Sequence, residues 1–465
     1  MRGCVDVDVW MVDDDKYLYT VSGVVVYHRI REKTCEDQGS TKDMNDQEKI
    51  HRVHMACPME SLSNVHEALR RTNGLVIRAI NLLNNSRRSV SPPIVPATTS
   101  NVPFKESTVI SFVQGKGRIH ITKPGMNHAL FVTKCRFKLR SQDGATHTYE
   151  LVAYVGDGVT GQIYIANHFE SKTRVAVKIF SKMSRSGMED KEITLLRSLT
   201  LSDLRHENLI NIHHYSAAPI RDRNGGHGFI VMELAENGEL FDYICDKPFN
   251  ESFARYFIRQ VVNAVEHLHS RRLVHRDLKP ENFLLDARAR LRICDFGHAK
   301  RLSEVMQIED DDFPMPPKLA TTRTKNIASP AYKAPILNDL RSNEEYDATK
   351  VDVWEIGVAL YVMLAQAYPF GQTKKEINRT QIQKVLDGRS NFRFWQKNAR
   401  DTAHFSEQAK AFLNAIFRPE QTRATVSELQ RMPWLRNASV PSRSDVIAEM
   451  KRRAWSIGKE PIFRS

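Results

Sequence analysis

The stretch Val274–Lys300, VHRDLKPENFLLDARARLRICDFGHAK, constrains this chain more than any other. It gathers His275, Arg276, Asp277, Lys279 and Asn282 on one short segment and follows them with Asp295-Phe296-Gly297. A hard dication needs oxygen ligands, which Asp295 and the amide oxygen of Asn282 can supply. Asp277 is suited to accept a proton from an incoming hydroxyl. Lys279, two residues on along an extended loop, falls on the same side and can neutralise a γ-phosphate. The set suits a site holding Mg²⁺ and a nucleotide beside a hydroxyl nucleophile. A merely solvated charged loop does not explain two such blocks at this separation.

Segments upstream fit the same chemistry. Gly156-Asp157-Gly158-Val159-Thr160-Gly161 is a GxGxxG turn whose glycines let the backbone lie close to phosphates. Ile163 follows, and Val175-Ala176-Val177-Lys178 then offers a strand-borne lysine for the α- and β-phosphates. That lysine needs a carboxylate. Glu192 is preferred over Glu189 because its register turns Leu195, Leu196 and Leu199 toward the core. Further on, Phe253, Phe257, Val261, Val262, Val265 and Leu268 recur at helical spacing and predict a core helix leading into the Asp277 loop.

In this order the motifs resemble the eukaryotic protein kinase domain over about Tyr149–Leu435, and Lys279 matches its serine/threonine branch. The strings GELFDYI and SPAYKAP are similar to the calcium/calmodulin-dependent and AMP-activated group. The resemblance implies an α+β, two-lobed fold over 148–437, with a β-rich small lobe and a helical large lobe. It also implies transfer of the γ-phosphate of Mg-ATP to protein serine and threonine hydroxyls. Catalytic roles are implied for Asp277, Lys279, Lys178 and Glu192, and metal ligation for Asn282 and Asp295. ATP contacts are implied for Gly156, Gly158, Gly161, Ile163, Ala176, Lys178, Met232, Glu233, Ala235, Glu239 and Leu284. The stack coupling the lobes is implied to be Leu196, Ile212, Phe296 and His275, anchored by Asp352. Glu239 and Glu281 are implied to line the substrate route, which favours Arg three residues before the phosphoacceptor; Glu239 on ATP ribose is the alternative.

The chain departs from the family pattern in two places. The segment that normally closes with Ala-Pro-Glu reads Ala334-Pro335-Ile336, so Arg423 is expected to lack its usual carboxylate, with Glu344 or Glu345 as substitutes. Lys325 stands where relatives carry a phosphothreonine, leaving Thr324 to take over or no phosphate switch at all. The rival reading is a pseudokinase-like scaffold acting through its flanks. Ile336 favours it, and the intact set Lys178, Glu192, Asp277, Asn282 and Asp295 opposes it.

The flanks carry most of the net charge of +13: residues 85–145 hold ten Lys/Arg against Glu106 and Asp143 alone. Residues 1–45 are unassigned; Val5–Val12 alternates like a strand with no evident partner. Residues 46–84 predict three short helices, and Ala68-Leu69, Asn73-Gly74, Ala79-Ile80 and Leu82-Leu83 resemble ubiquitin-binding UBA/CUE modules. That resemblance implies ubiquitin as a partner. Residues 85–103 are a Ser/Pro-rich linker. Residues 104–147 have period two: Cys135, Phe137 and Leu139 face one side while Lys134, Arg136, Lys138 and Arg140 face the other. A solvated sheet face leaning on the small lobe is preferred there to a surface for acidic partners. The basic tail 438–465 predicts a helix over Ser444–Trp455, either docked on the large lobe, which is preferred, or similar to a calmodulin target. No apolar run is long enough to span a membrane, the acidic start lacks a signal peptide's basic residues, and six scattered cysteines show no disulfide or zinc spacing. The expected location is intracellular, cytoplasmic or nuclear.

Overall fold

The computed structural model describes residues 9–13, 16–21, 24–29, 103–113, 121–123, 126–128, 135–157, 161–180, 191–222, 225–302, 321–322, 329–339, 346–373, 376–386, 394–395 and 398–464. The chain forms two compact units, 1–96 and 97–465. In the first, β1 (Val9–Asp13), β2 (Lys16–Val21) and β3 (Val24–Arg29) make an antiparallel meander. The alternating N-terminal segment therefore does have a partner downstream. It pairs through a two-residue connection, Asp13 opposite Lys16, with a one-residue register shift between Met11 and Asp13. The expected UBA/CUE-like module lies outside the described residues.

The second unit begins with a sheet whose strands are β4 (Thr108–Val113), β7 (Arg136–Arg140), β8 (Thr146–Asp157), β9 (Gly161–His168), β10 (Thr173–Phe180), β11 (Ile212–Asp222) and β12 (Gly225–Glu233). Between β4 and β7, the short β5 (Ile121–Lys123) and β6 (Met126–His128) pair with each other. The order is β11-β12-β10-β9-β8-β7-β4, all antiparallel. The basic segment thus does more than lean on the small lobe: β7 and β4 extend its sheet. Cys135, Phe137 and Leu139 are fully buried against Tyr149, Tyr164, Val177 and Phe229, while Arg136, Lys138 and Arg140 face solvent. The two sheet edges meet again where Ser107 N–H donates to Tyr215 O at 3.0 Å, curling the sheet toward a barrel. At that seam four imidazoles cluster. His147 Nδ1 lies 3.1 Å from His168 Nε2, the His147 and His214 rings are 4.5 Å apart, and His213 adjoins them.

Helix α1 (Lys191–Arg197) buries Glu192, Ile193, Leu195 and Leu196, and Leu199 just beyond it is buried too, the register expected for Glu192. Below come α2 (Leu240–Asp246), α3 (Glu251–Ser270) and α4 (Ala348–Ala365). Asn250 caps α3 by accepting from Phe253 N, satisfying an N–H that the helix itself leaves orphaned. The apolar face of α3, including Phe257, Val261, Val265 and Leu268, packs on α4, which is buried all round. Among the described residues no helix is long and apolar enough to cross a membrane. Cys294 carries a free thiol.

The tail helix α5 (Arg443–Ser456) starts with a capping box between Ser442 and Asp445 and buries Val446, Ile447, Met450 and Ala454. Its contacts are with α2, so the docked arrangement is the one found. Arg453 is buried, stacks 4.0 Å from the Phe249 ring and donates to Tyr243 O, Lys247 O and Pro248 O at the end of α2. Past the helix, Ile462 exchanges hydrogen bonds with the Asn237 side chain at 2.7 and 3.1 Å. Phe463 is buried near Tyr243.

Candidate active site

Lys178 sits in the middle of β10, between buried Val177 and Ile179. Its Nζ lies 2.6 Å from Glu192 Oε2 and 2.9 Å from Asp295 Oδ1. Burial alone would discharge this lysine, but Glu192 and Asp295 outweigh it and hold the ammonium above the usual lysine range. Burial likewise opposes ionisation of Asp295, yet Lys178 keeps that carboxyl below the usual carboxylate range. Glu192 Oε1 also accepts from Phe296 N at 3.3 Å, so one carboxylate joins α1, β10 and the Asp295 loop. Asp295 adopts φ of 66°, a costly left-handed conformation for a non-glycine residue, and accepts from Gly297 N.

A second carboxylate pair shapes the loop below. Fully buried Asp352 accepts from His275 N at 3.0 Å, Arg276 N at 2.7 Å and His269 Nε2 at 2.7 Å. One turn along α4, Glu355 Oε2 accepts from Leu278 N at 2.7 Å. These bonds hold Arg276 at φ of 65°, the kink that turns Asp277 out of the chain direction. Asp277 Oδ2 then accepts from Lys279 Nζ at 2.8 Å and Asn282 Nδ2 at 3.1 Å. Its Oδ1 lies 3.2 Å from the Ser329 hydroxyl, and Lys279 Nζ lies 2.7 Å from the same oxygen. Burial pushes Lys279 down, but Asp277 more than compensates and leaves it above the usual lysine range.

Both hydrogen bonds of the Asn282 side chain use its amide nitrogen, which leaves its oxygen for a cation. Asp295 engages Lys178 and Gly297 through Oδ1, which leaves Oδ2. Two hard oxygens on adjacent loops fit Mg²⁺. On the other wall, Ala176 pairs with Met232, and Leu284 bridges Glu239 at the start of α2. The Glu233 carboxylate is occupied by Asn211 N and Arg292, so that residue offers a ligand its backbone. Gly156 ends near β9, and a Cβ on Gly161 would meet Ile179 O at 2.3 Å, so only glycine fits there. Gly158 lies outside the described residues. Ile163 pairs with Lys178, and Ala235 lies partly buried at the turn after β12. Leu196, Ile212, Phe296 and His275 are all buried, with the His275 and Phe296 rings 5.4 Å apart.

Glu355 received no role from the sequence, because a glutamate on a helix ordinarily marks a solvated face. Its position one turn after Asp352 is the signal that was available. Among the described residues Arg423 makes no contact ion pair, although the Glu420 and Asp347 carboxylates lie near enough to favour its charge, and Glu344 and Glu345 lie outside the described residues. Three backbone carbonyls, of Ile416, Lys350 and Arg418, accept from its guanidinium at 2.8–3.1 Å, and the Trp354 ring lies 4.9 Å away. Burial pushes its pKa down to about 10. Cys294 is a packing residue, its thiol pushed up by burial.

A family model described as the protein kinase domain matches residues 149–435. Serine/threonine-protein kinase SAPK4 of Oryza sativa subsp. japonica is 35% identical over 325 residues, covering 65% of this chain and 80% of that protein. Serine/threonine-protein kinase SRK2H of Arabidopsis thaliana is 34% identical over 292 residues, 62% of this chain and 71% of its own. CBL-interacting protein kinase 30 of Oryza sativa subsp. japonica is 33% identical over 300 residues, covering 63% and 55% respectively.

Proposed function

Since the chain belongs to the protein kinase family and is a serine/threonine kinase of the calcium/calmodulin-dependent and AMP-activated type, we propose that Asp277 is its catalytic base. The enzyme reading replaces the scaffold alternative. What supports the assignment is the Asp277 carboxylate, which already receives a hydroxyl, that of Ser329, while Lys279 and Asn282 fix its second oxygen. In this reading Asp277 takes the proton of a substrate Ser/Thr hydroxyl as its oxygen bonds to the γ-phosphorus and the bond to the β,γ-bridging oxygen breaks, releasing ADP. Lys178, held by Glu192, orients the α- and β-phosphates, and Lys279 neutralises the γ-phosphoryl oxygens. Asn282 and Asp295 would hold Mg²⁺, which supplies positive charge to the phosphates when bound. Ile163, Ala176 and Leu284 sandwich the adenine, the backbone of Met232 to Ala235 reads its edge, and Gly156, Gly158 and Gly161 cover the phosphates.

For substrates we assign selection of Arg three residues before the phosphoacceptor, held between Glu239 and Glu281. Charge-assisted hydrogen bonds worth roughly 1.5–3 kcal/mol correspond to about 10- to 100-fold in kcat/KM. Peptides carrying Arg, Ala or Glu there should rank in that order, with Glu239→Ala narrowing the gap; a flat ranking would overturn this assignment. Ubiquitin binding by 46–84 rests on the sequence pattern alone. For the tail we favour docking over a calmodulin or acidic partner, because its apolar face is spent on α2. Six scattered cysteines without disulfide or zinc spacing suit a reducing, cytoplasmic or nuclear setting.

A further inference from the structure

The five residues ahead of β4 are tied to the far end of α1 more densely than a strand lead-in requires. Pro103 bridges Thr200, and Phe104 N–H donates to Leu199 O at 2.9 Å. Phe104 is buried, its ring 5.0 Å from that of Tyr215, whose hydroxyl donates back to Phe104 O at 2.5 Å. The Glu106 carboxylate spans two elements. One oxygen pairs with Arg197 in the last turn of α1, and the other accepts from Ala217 N on β11 at 3.1 Å. Ser107 closes the strap, its N–H on Tyr215 O and its hydroxyl 3.0 Å from His214 Nδ1.

The described part of α1, Lys191–Arg197, owes less to its own few hydrogen bonds than to what grips it. At its first turn Glu192 meets Lys178, and at its last turn it meets this strap. A rotation or slide of α1 that frees Arg197 would also carry Glu192 away from Lys178, because the two residues lie five positions apart on one continuous helix. We propose that Pro103–Ser107 is a positioning strap for α1, with Phe104 and Glu106 holding the helix in the place where Glu192 keeps Lys178 on the phosphates. This rests on the reading of Lys178 and Glu192 given above. It assigns a role to the start of the basic segment, whose outward charges the kinase chemistry does not use.

The test is a double-mutant cycle in the full chain, with kcat and KM for ATP measured on a peptide substrate. Glu106→Ala should lower kcat about tenfold, and Glu106→Gln, which keeps an acceptor for Ala217 N, about threefold, in line with a partly exposed ion pair plus one hydrogen bond. In a Glu192→Gln background both substitutions should have no further effect, because the strap acts through Glu192. The same fold-loss in both backgrounds, or a wild-type kcat for Glu106→Ala, overturns the strap. If Glu192→Gln itself has wild-type kcat, the Lys178–Glu192 reading fails and takes the strap with it. Glu106→Gln preserves shape and stays informative if the alanine variant folds poorly.

Discussion

Replacing Arg453 with alanine should release the C-terminal tail. Three basic residues stand together, Lys451, Arg452 and Arg453, yet only Arg453 is buried. Its guanidinium donates to Tyr243 O at 2.8 Å and Pro248 O at 3.0 Å, to Lys247 O, and to Glu449 Oε1 at 2.7 Å. The Tyr243 and Lys247 carbonyls belong to the C-terminal end of α2, where a helix has acceptors without partners and the negative end of its dipole. Burial lowers the Arg453 pKa to about 10, so holding the charge inside carries a cost that these contacts offset. Removing it takes the donor away from the Tyr243, Lys247 and Pro248 carbonyls, while Glu449 keeps Arg452 and Lys247 as partners, so the loss is about 1–3 kcal/mol. At about 1.4 kcal/mol per decade, opening of the tail should become about 10- to 100-fold more frequent. Hydrogen exchange of the α5 amides reads this directly, since their protection falls with the local opening equilibrium. Lys451→Ala, a few tenths of a kcal/mol at most, is the control. Equal protection in the two variants would refute the docking energetics, and calmodulin binding that needs no loss of protection would refute the docked tail.

Two further outcomes follow from the same physics. Asp352→Asn turns an amide N–H₂ toward one of the backbone N–H groups of His275 and Arg276, so the strained Arg276 kink relaxes; steady-state kinetics should show kcat down about 10²-fold with nucleotide affinity little changed. The seam histidines make stability fall with acid. Burial lowers His168, His213 (to about 4) and His214 (to about 3), against the carboxylates of Glu170 and Asp143, which work the other way. Because the folded state holds these rings neutral, their stabilisation is complete above the unfolded value near 6.5 and is lost as pH falls from there toward 4. Chemical denaturation at pH 7.5 and 5.5 should show the drop, and His214→Asn should shrink it.

The proposed catalytic set was legible in the chain because phosphoryl transfer restricts residue types so tightly. A base, a metal amide, a metal carboxylate and a phosphate lysine have few substitutes, and the residues proposed for them, Asp277, Asn282, Asp295 and Lys178, fall in segments spaced as the chemistry demands. Period two likewise marked the buried side of β7. What it did not carry was the strand's partner, since alternation sets which face is inside but not which edge is extended. The strap was invisible for a related reason: Glu106 and Arg197 are 91 residues apart, and each alone is an ordinary surface charge. Arg423 was expected to want a carboxylate, yet the backbone carbonyls of Ile416, Lys350 and Arg418 accept from its guanidinium, and residue type does not report them. Arg453 looks like its neighbours in the sequence; only the helix phase that points it at the end of α2 separates them.

Single-turnover phosphate transfer by Asp277→Asn, measured beside ATP affinity in the same preparation, bears on the assignment with the fewest intermediate assumptions. The substituted amide keeps the shape that Lys279, Asn282 and Ser329 contact but cannot take up a hydroxyl proton. ATP binding within about twofold of wild type, with transfer to a serine peptide slowed by about 10²- to 10⁴-fold, is the expected pair of results. Transfer at the wild-type rate would mean that the proton goes elsewhere and that Asp277 is not the base.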